Sequence, residues 1–281
     1  MIRAGVLALL LVTAGAFAQG DAKRGEYLSK AAGCLGCHTE AREGAQPYAG
    51  GRAIKTPFGT FYGPNITPHA DAGIGRWREA DFARALHTGV RPDGANYFPC
   101  FPYPSFTKIS DADVADLWAY LRTLPPSAQP SRPHDLPFYF RWRLLLGAWK
   151  WLYFSPGRFA ADGAKSAQLN RGAYLVQALG HCSECHTPRN FLGGPRKDRF
   201  LAGGRLADGA AAPNLTPTRL KKQTDADLRD VLQSGVTPDG DALAESMAEV
   251  VRNTTSQLTA GDLSALVAYL RTLSPLPDEP K

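Results

Sequence analysis

Polar caps followed by apolar residues at helical spacing mark six stretches of this chain, and long glycine- and proline-rich loops separate them. In the N-terminal half the pattern predicts helices over Asp21 to Gly33, Glu79 to His87 and Ser110 to Leu124, with Asp21 as an N-cap. The third is the clearest. Val114, Leu117, Trp118 and Leu121 share one face, Ser110 with Asp113 resembles a capping box, and Pro125-Pro126 ends it because proline cannot continue a helix. The C-terminal half repeats the plan over Ser166 to Leu179, Thr224 to Ser234 and Thr259 to Leu273, with Thr224/Asp227 and Thr259/Asp262 as caps.

The repetition extends to the residues themselves. Arg24-Gly-Glu-Tyr-Leu28 recurs as Arg171-Gly-Ala-Tyr-Leu175, an offset of 171 − 24 = 147. Pro64-Asn-Ile-Thr-Pro68 recurs as Pro213-Asn-Leu-Thr-Pro217 at 213 − 64 = 149, and Gly89-Val-Arg-Pro-Asp-Gly94 as Gly235-Val-Thr-Pro-Asp-Gly240 at 235 − 89 = 146. Ala119-Tyr-Leu-Arg-Thr-Leu124 recurs as Ala268-Tyr-Leu-Arg-Thr-Leu273 at 268 − 119 = 149. Ordered matches at near-constant offset mean two copies of one domain with small insertions between landmarks. The expected division is a leader over 1–18, a first domain over 19–124, a linker over 125–165 and a second domain over 166–281.

The leader reads as a signal peptide. Arg3 precedes an apolar run from Ala4 to Leu11, and Ala16-Phe17-Ala18 is a small-x-small cleavage site. That run is short for a membrane span. Export places the chain in the periplasm. The linker opens with a proline-rich connector, Pro125 to Pro137, which favours an extended spacer. It continues as the aromatic stretch 138–154, interrupted by Arg141, Arg143 and Lys150. This stretch could lie on a membrane surface, dock on a partner subunit, or strap the two domains together, and the last reading is favoured. The net charge of +6 falls by one when Arg3 leaves with the leader. No basic block marks a nucleic-acid-binding patch.

Cysteine placement brings in the chemistry. Four of the five cysteines form Cys34-Leu-Gly-Cys37-His38 and Cys182-Ser-Glu-Cys185-His186, at an offset of 182 − 34 = 148. Cys-x-x-Cys-His attaches c-type haem: two thiols reach the two vinyl groups and the histidine ligates iron. A zinc or dithiol site would not explain a histidine directly after both motifs. Two covalently bound c-type haems follow, with His38 and His186 as proximal ligands, and the four propionates offset most of the positive charge. The carbonyls of Pro64 and Pro213 are candidate acceptors for the second ring nitrogen of each histidine.

The distal ligands are unequal. After Met1 leaves, Met247 is the one methionine. It stands in a Ser-Met-Ala-Glu stretch read as a loop before the last helix, and is the expected sixth ligand of the second haem. The ungapped Gly-Val-x-Pro-Asp-Gly match sets Phe101 opposite Met247, since 247 − 101 = 146. The first iron is then open, or bound by Cys100, or bound by His87, His69 or His134. The open site is favoured. Neighbours in an extended loop point to opposite sides, which counts against Cys100, and His87 aligns with Gln233 and so has no counterpart in the second copy.

Thr56-Pro-Phe-Gly-Thr60, Asn65-Ile-Thr-Pro68, Gly73-Ile-Gly-Arg-Trp77, Asp81-Phe-Ala-Arg-Ala85, Pro102-Tyr-Pro-Ser-Phe106 and the stretch Met247 to Leu258 resemble the cytochrome c subunits of membrane-bound alcohol and aldehyde dehydrogenases. The resemblance spans about Asp21 to Leu124 and Leu169 to Leu273. It implies an all-α fold of two tandem class I cytochrome c domains, with Gly/Pro-rich loops around covalent haems. It also implies a subunit that takes electrons from a periplasmic dehydrogenase and passes them to quinone or a terminal oxidase. Members of that type often carry three haems, whereas this chain has motifs for two. They have methionine before Pro-Tyr-Pro-Ser, where this chain has Phe101.

The competing class is a haem enzyme, peroxidase-like or thiosulfate dehydrogenase-like, with the first haem as an open or Cys100-ligated catalytic site. Around Phe101 only His87 and Arg84 suggest themselves as acid–base or anion-binding groups. A haem sensor is a third class, with no signalling domain to support it.

Overall fold

The computed structural model of this 281-residue chain describes residues 20–141, 143, 145–206 and 209–278. The leader predicted over 1–18 lies outside the described residues. Helix α1 (Ala22–Ala31) starts at Asp21, whose carboxylate accepts the N–H groups of Lys23 and Arg24 at 2.9 and 3.1 Å, satisfying donors that have no partner inside the helix. It gives way to Gly33, at φ 64°, from which α2 (Cys34–His38) departs. Gly33 supplies the left-handed conformation that lets one helix stop and another begin at an angle. Next come α3 (Glu79–Thr88), a short α4 (Tyr103–Phe106) and α5 (Asp111–Leu121). After α6 (Leu145–Tyr153), the C-terminal half runs through α7 (Ala167–Tyr174), α8 (Ser183–His186), α9 (Pro217–Leu220), α10 (Asp225–Ser234), α11 (Glu245–Asn253) and α12 (Ala260–Arg271).

The six predicted helices are present, and the stretches between them carry more structure than the pattern suggests. Strands β1 (Ala53–Thr56) and β2 (Gly59–Tyr62) pair antiparallel, and β3 (Gly204–Arg205) pairs with β4 (Ala211–Ala212). The proline-rich connector is held down rather than left as a spacer. Thr60 and Asp135 exchange both backbone hydrogen bonds at 2.9 Å, and buried Asn65 donates to the carbonyls of Ser127 and Gln129 at 2.9 Å each. Asn214 grips the C-terminal tail in the same way, donating to Leu276 O at 2.8 Å.

A change of offset in the sequence has a visible cause. The copies are 147 apart at Arg24/Arg171 and 148 apart at Cys34/Cys182, so the second contains one extra residue in its first helix. That residue is stored in a π-helical turn, Leu175–Leu179, closed by Gly180 N–H on Leu175 O at 2.7 Å. Wide turns of this kind accommodate single insertions within α-helices and recur at functional sites.

In each copy the first and last helices cross closely. Gly25 on α1 meets the backbone of Asp116 on α5, and Gly172 on α7 meets Ala265 on α12; a methyl at either glycine would collide with the facing carbonyl. Around the crossings Leu28, Val114, Leu117 and Leu121 are buried in the first copy, and Leu175, Leu263, Leu266 and Leu270 in the second. All belong to one continuous apolar cluster. Trp118, assigned to the same face of its helix, is partly buried and packs on Phe82 with ring centroids 5.5 Å apart.

The caps of α5 and α12 depart from the expected reciprocal box. Ser110 accepts the Asp113 N–H at 3.1 Å and Thr259 accepts the Asp262 N–H at 3.1 Å, but the two carboxylates face away from their own caps. Arg24 pairs with Asp113 and Asp116, and Arg171 with Asp262. Of the three caps predicted with a third-position aspartate, only Thr224/Asp227 on α10 closes in both directions.

Gly25→Ala and Gly172→Ala should each destabilise the protein by about 1–3 kcal/mol, because overpacking outweighs the gain in helix propensity. Denaturant titration of each variant measures this; unchanged midpoints would mean that the crossings are looser than described.

Candidate functional site

Both Cys-x-x-Cys-His motifs sit on a single helical turn at the end of the first long helix of their copy. Helical geometry puts residues three and four apart on one face, so the two thiols of each motif are presented together. The His38 Nδ1 lies 2.7 Å from Pro64 O, and the His186 Nδ1 lies 2.7 Å from Pro213 O. A carbonyl can only accept, so Nδ1 carries the proton in both rings and Nε2 keeps its lone pair for a metal. The backbone carbonyls of the same histidines accept from Gly50 and Gly203, at 2.7 and 2.9 Å. Sequence reasoning passed over these glycines. The signal was present, since Ala49-Gly-Gly-Arg52 recurs as Ala202-Gly-Gly-Arg205.

Burial sets the electrostatics. It lowers the proton affinity of both imidazoles, partly offset by the proline carbonyls. It pushes the Cys34 and Cys182 thiols up to about 12 and Cys37 to about 11. Reactive dithiol pairs sit in electropositive surroundings that depress the thiol pKa, and here the shift runs the other way. None of the four is in a disulfide. Neutral sulfurs at this spacing, beside an imidazole with a committed tautomer, are the donor set that covalent haem attachment needs.

The two distal sides differ in backbone as well as in side chain. Met247 lies within α11 and is half-buried, not in the expected loop. The stretch Glu245–Asn253 contains neither glycine nor proline, and nothing stops it from coiling. In the first copy Pro99, Pro102 and Pro104 break the corresponding stretch. A turn closes there with Phe101 N–H on Phe98 O at 3.0 Å, and helix resumes only at α4. Cys100 therefore occupies a turn rather than an extended loop. Its thiol is pushed up to about 12 by burial, with Cys37 and Glu184 adding to the effect and Arg189 opposing it. The Phe101 ring packs against Tyr97 and Phe106, with centroids 5.2 and 5.8 Å apart. Tyr103 is fully buried, and its hydroxyl finds no hydrogen-bond partner among the described residues.

The three histidines considered for the first copy each have a ring nitrogen engaged. His87 is buried, with Nε2 3.0 Å from Ile109 O and Nδ1 3.7 Å from the Asp111 carboxylate. It ties α3 to the start of α5. His69 Nδ1 accepts from the Asp71 and Ala72 N–H groups at 3.2 and 3.1 Å, and His134 Nδ1 from Tyr62 N–H at 3.2 Å. Arg84 bonds Asp81 at 3.2 Å and the Pro92 carbonyl at 3.3 Å.

The aromatic stretch bridges the copies. Lys150 donates to Thr88 O at 2.6 Å and Asn96 Oδ1 at 2.8 Å, and Arg143 to Asn96 O at 2.7 Å. On the other side, Trp149 donates to Leu192 O at 3.0 Å and Tyr153 accepts from Asn190 at 3.0 Å. Arg143 and Lys150 thus turn inward, while Phe138 is 73% and Trp151 85% exposed, next to a loop whose Phe191 is 88% exposed. Among the described residues no helix is long and apolar enough to cross a membrane.

The sequence profile of the family described as Cytochrome c matches residues 22–125. A protein described as "Diheme cytochrome c-type" from Cereibacter sphaeroides is 46% identical over 256 residues, which cover 90% of this chain and 86% of that protein. The chain belongs to the cytochrome c family. This cytochrome is also 41% identical over 255 residues to the fructose dehydrogenase cytochrome subunit of Gluconobacter japonicus, covering 89% of the chain but 52% of that subunit. With the cytochrome c subunit of the quinone alcohol dehydrogenase of Gluconobacter oxydans it shares 36% over 291 residues, covering 98% of the chain and 60% of that subunit. The cytochrome therefore spans only part of the length of those dehydrogenase subunits. Membership accounts for the predominantly helical fold around long loops, and makes the cofactor covalently bound c-type haem and the chemistry electron transfer.

The buried His87 imidazole titrates below its ordinary value of 6.5, chiefly through burial and then through Arg158. The unfolded chain takes up that proton more readily, so the stability this residue contributes is complete above the ordinary value and lost as pH falls through the lowered one. Urea midpoints measured at about pH 7.5 and about pH 5 should converge in His87→Gln, with the haem spectrum unchanged. A changed spectrum would make His87 a ligand.

Proposed function

We propose that this cytochrome carries two c-type haems and serves as the electron-transfer subunit of a periplasmic dehydrogenase, passing electrons to quinone or a terminal oxidase. The observation that carries the reading is the duplicated constellation: a helix-borne Cys-x-x-Cys-His whose imidazole is tied to a proline carbonyl at 2.7 Å in both copies. Cys34, Cys37 and His38 would hold one haem in a domain spanning 19–124. Cys182, Cys185 and His186 would hold the other in a domain spanning 166–281. Haem supplies one-electron iron chemistry, and the chain's residues fix the ligands, the orientation and the access of water.

Met247 is the sixth ligand in the second domain. In the first, Phe101 holds that position and contributes no ligand, so the site is open or is bound by Cys100. The open form is the reading we propose. The reciprocal burial of His87 between α3 and α5 leaves it a packing role.

The relatives named as dehydrogenase subunits support a dehydrogenase as the partner. The exposed aromatic residues Phe138 and Trp151 are the surface this reading gives to partner or peripheral membrane contact, because Arg143 and Lys150 are engaged by the first copy. Export by the leader over 1–18 puts the protein in the periplasm.

The mature protein should show an intact mass increased by two haems. Its reduced form should bind carbon monoxide rapidly at one haem, and Met247→Ala should open the second. A mass with fewer haems would overturn the dihaem reading. No carbon monoxide binding before substitution would mean that the first iron has a strong sixth ligand, and a spectrum altered by Cys100→Ala would identify it.

A further inference from the structure

The two copies are joined by a reciprocal clasp. Tyr174, on α7 of the second copy, donates its hydroxyl to the Asp113 carboxylate of the first at 2.5 Å, and that hydroxyl accepts the Ser110 N–H at 3.1 Å. Tyr27, on α1 of the first copy, donates to Asp262 of the second at 2.5 Å and accepts the Thr259 N–H at 3.2 Å. The residues are equivalent in the repeat: 174 − 27 = 147, 262 − 113 = 149 and 259 − 110 = 149. Each tyrosine thus completes the helix cap that the other copy's own aspartate leaves unfinished. An interface in which i meets j and j meets i is isologous, the form taken by a two-fold dimer.

The motifs lie against this pseudo-two-fold axis. A side chain on Gly33, just before Cys34, would touch the His181 ring, just before Cys182. Gly36, inside the first motif, faces Glu249 and Asn253 of the second copy's α11. Glu184, at the same place in the second motif, accepts from Ser105 of the first copy's α4 at 2.9 Å. Arg52 pairs with Glu249 across the same junction.

We propose that Tyr27 and Tyr174 are positioning residues for electron exchange between the two haems: by locking each other's partner helices they fix the spacing of the facing Cys-x-x-Cys-His motifs. This rests on the dihaem reading above. The Arg24–Asp113 and Arg171–Asp262 pairs stay within their copies, so removing the tyrosine hydroxyls loosens the junction and leaves the intracopy crossings in place. Phenylalanine keeps the ring and its packing.

The test uses the full-length holoprotein. In Tyr27→Phe/Tyr174→Phe, amide hydrogen exchange at Ser110 and Thr259 should accelerate by about threefold to tenfold, the worth of the lost hydrogen bond to the tyrosine hydroxyl. Exchange of electrons between the haems, followed after pulse-radiolytic reduction, should slow more than in either single variant, with the haem count and each haem's spectrum unchanged. Tyr62→Phe is the control, since its hydroxyl accepts from Arg132 in the connector at 3.3 Å and its loss should leave interhaem exchange alone. Unchanged exchange in the double variant, or equal slowing in the control, overturns the proposal while two haems by mass keep the functional reading. Fewer than two haems in the unmodified protein overturns both.

Discussion

Everything in this molecule depends on how closely the first and last helices of each copy can approach. At Gly25 and Gly172 the helix presents bare backbone to the facing carbonyl, and an arginine one residue earlier reaches the aspartate in the first turn of the partner helix. Close contact and ion pair reinforce one another. The glycine removes the Cβ that would hold the helices apart, and the guanidinium then has the reach to neutralise a carboxylate largely withdrawn from water. Such a pair contributes little by attraction alone, because desolvation opposes it. Its value is directional, since breaking one partner would strand a charge in the crossing. The helix leading into each Cys-x-x-Cys-His is thereby fixed against its own copy, and the motif at its end inherits that position.

The loops translate the fixed helices into a site. In both copies the proline of Pro-Asn-x-Thr-Pro offers its carbonyl to the imidazole, while the next residue, asparagine, anchors the segment that follows the last helix. One short motif thus sets the tautomer of the candidate ligand and closes the loop over it. The aromatic stretch belongs to the same economy of contacts. Lys150 is drawn to the Thr88 carbonyl at the C-terminal end of α3, where the helix dipole favours a cation, while Phe138 and Trp151 stay exposed.

The helices were legible because caps, glycine stops and apolar spacing are local: α1, α3, α10 and α12 lie within a residue or two of their predicted ends, and α5 stops three residues before Leu124. The motifs and the inequality of Met247 and Phe101 were legible from the internal repeat. What escaped was relational. Nothing near Asp113 or Asp262 says that their carboxylates leave the cap for an arginine and a tyrosine about 61 to 235 residues distant. The helix at Met247 starts from Ala244, which offers no side-chain cap, so it lacks the local signal that marks the others. Gly50 and Gly203 were hidden in a short repeat that earned no notice until their N–H groups were seen on the histidine carbonyls.

The π turn at Leu175–Leu179 shows how duplicated genes can drift in length without drifting in purpose. One extra residue in an α-helix turns everything beyond it by about 100°, which here would have swung Cys182 and His186 off their loop. Stored as a single wide turn, the surplus is confined to five residues, and the motif beyond it keeps its hydrogen bond to the proline carbonyl. The remaining offset changes between the copies fall between the haem-motif turn and the last helix, where the copies differ in their loops and short helices. A helix that can hide an insertion in this way leaves its lineage room to vary at a point that would otherwise tolerate none.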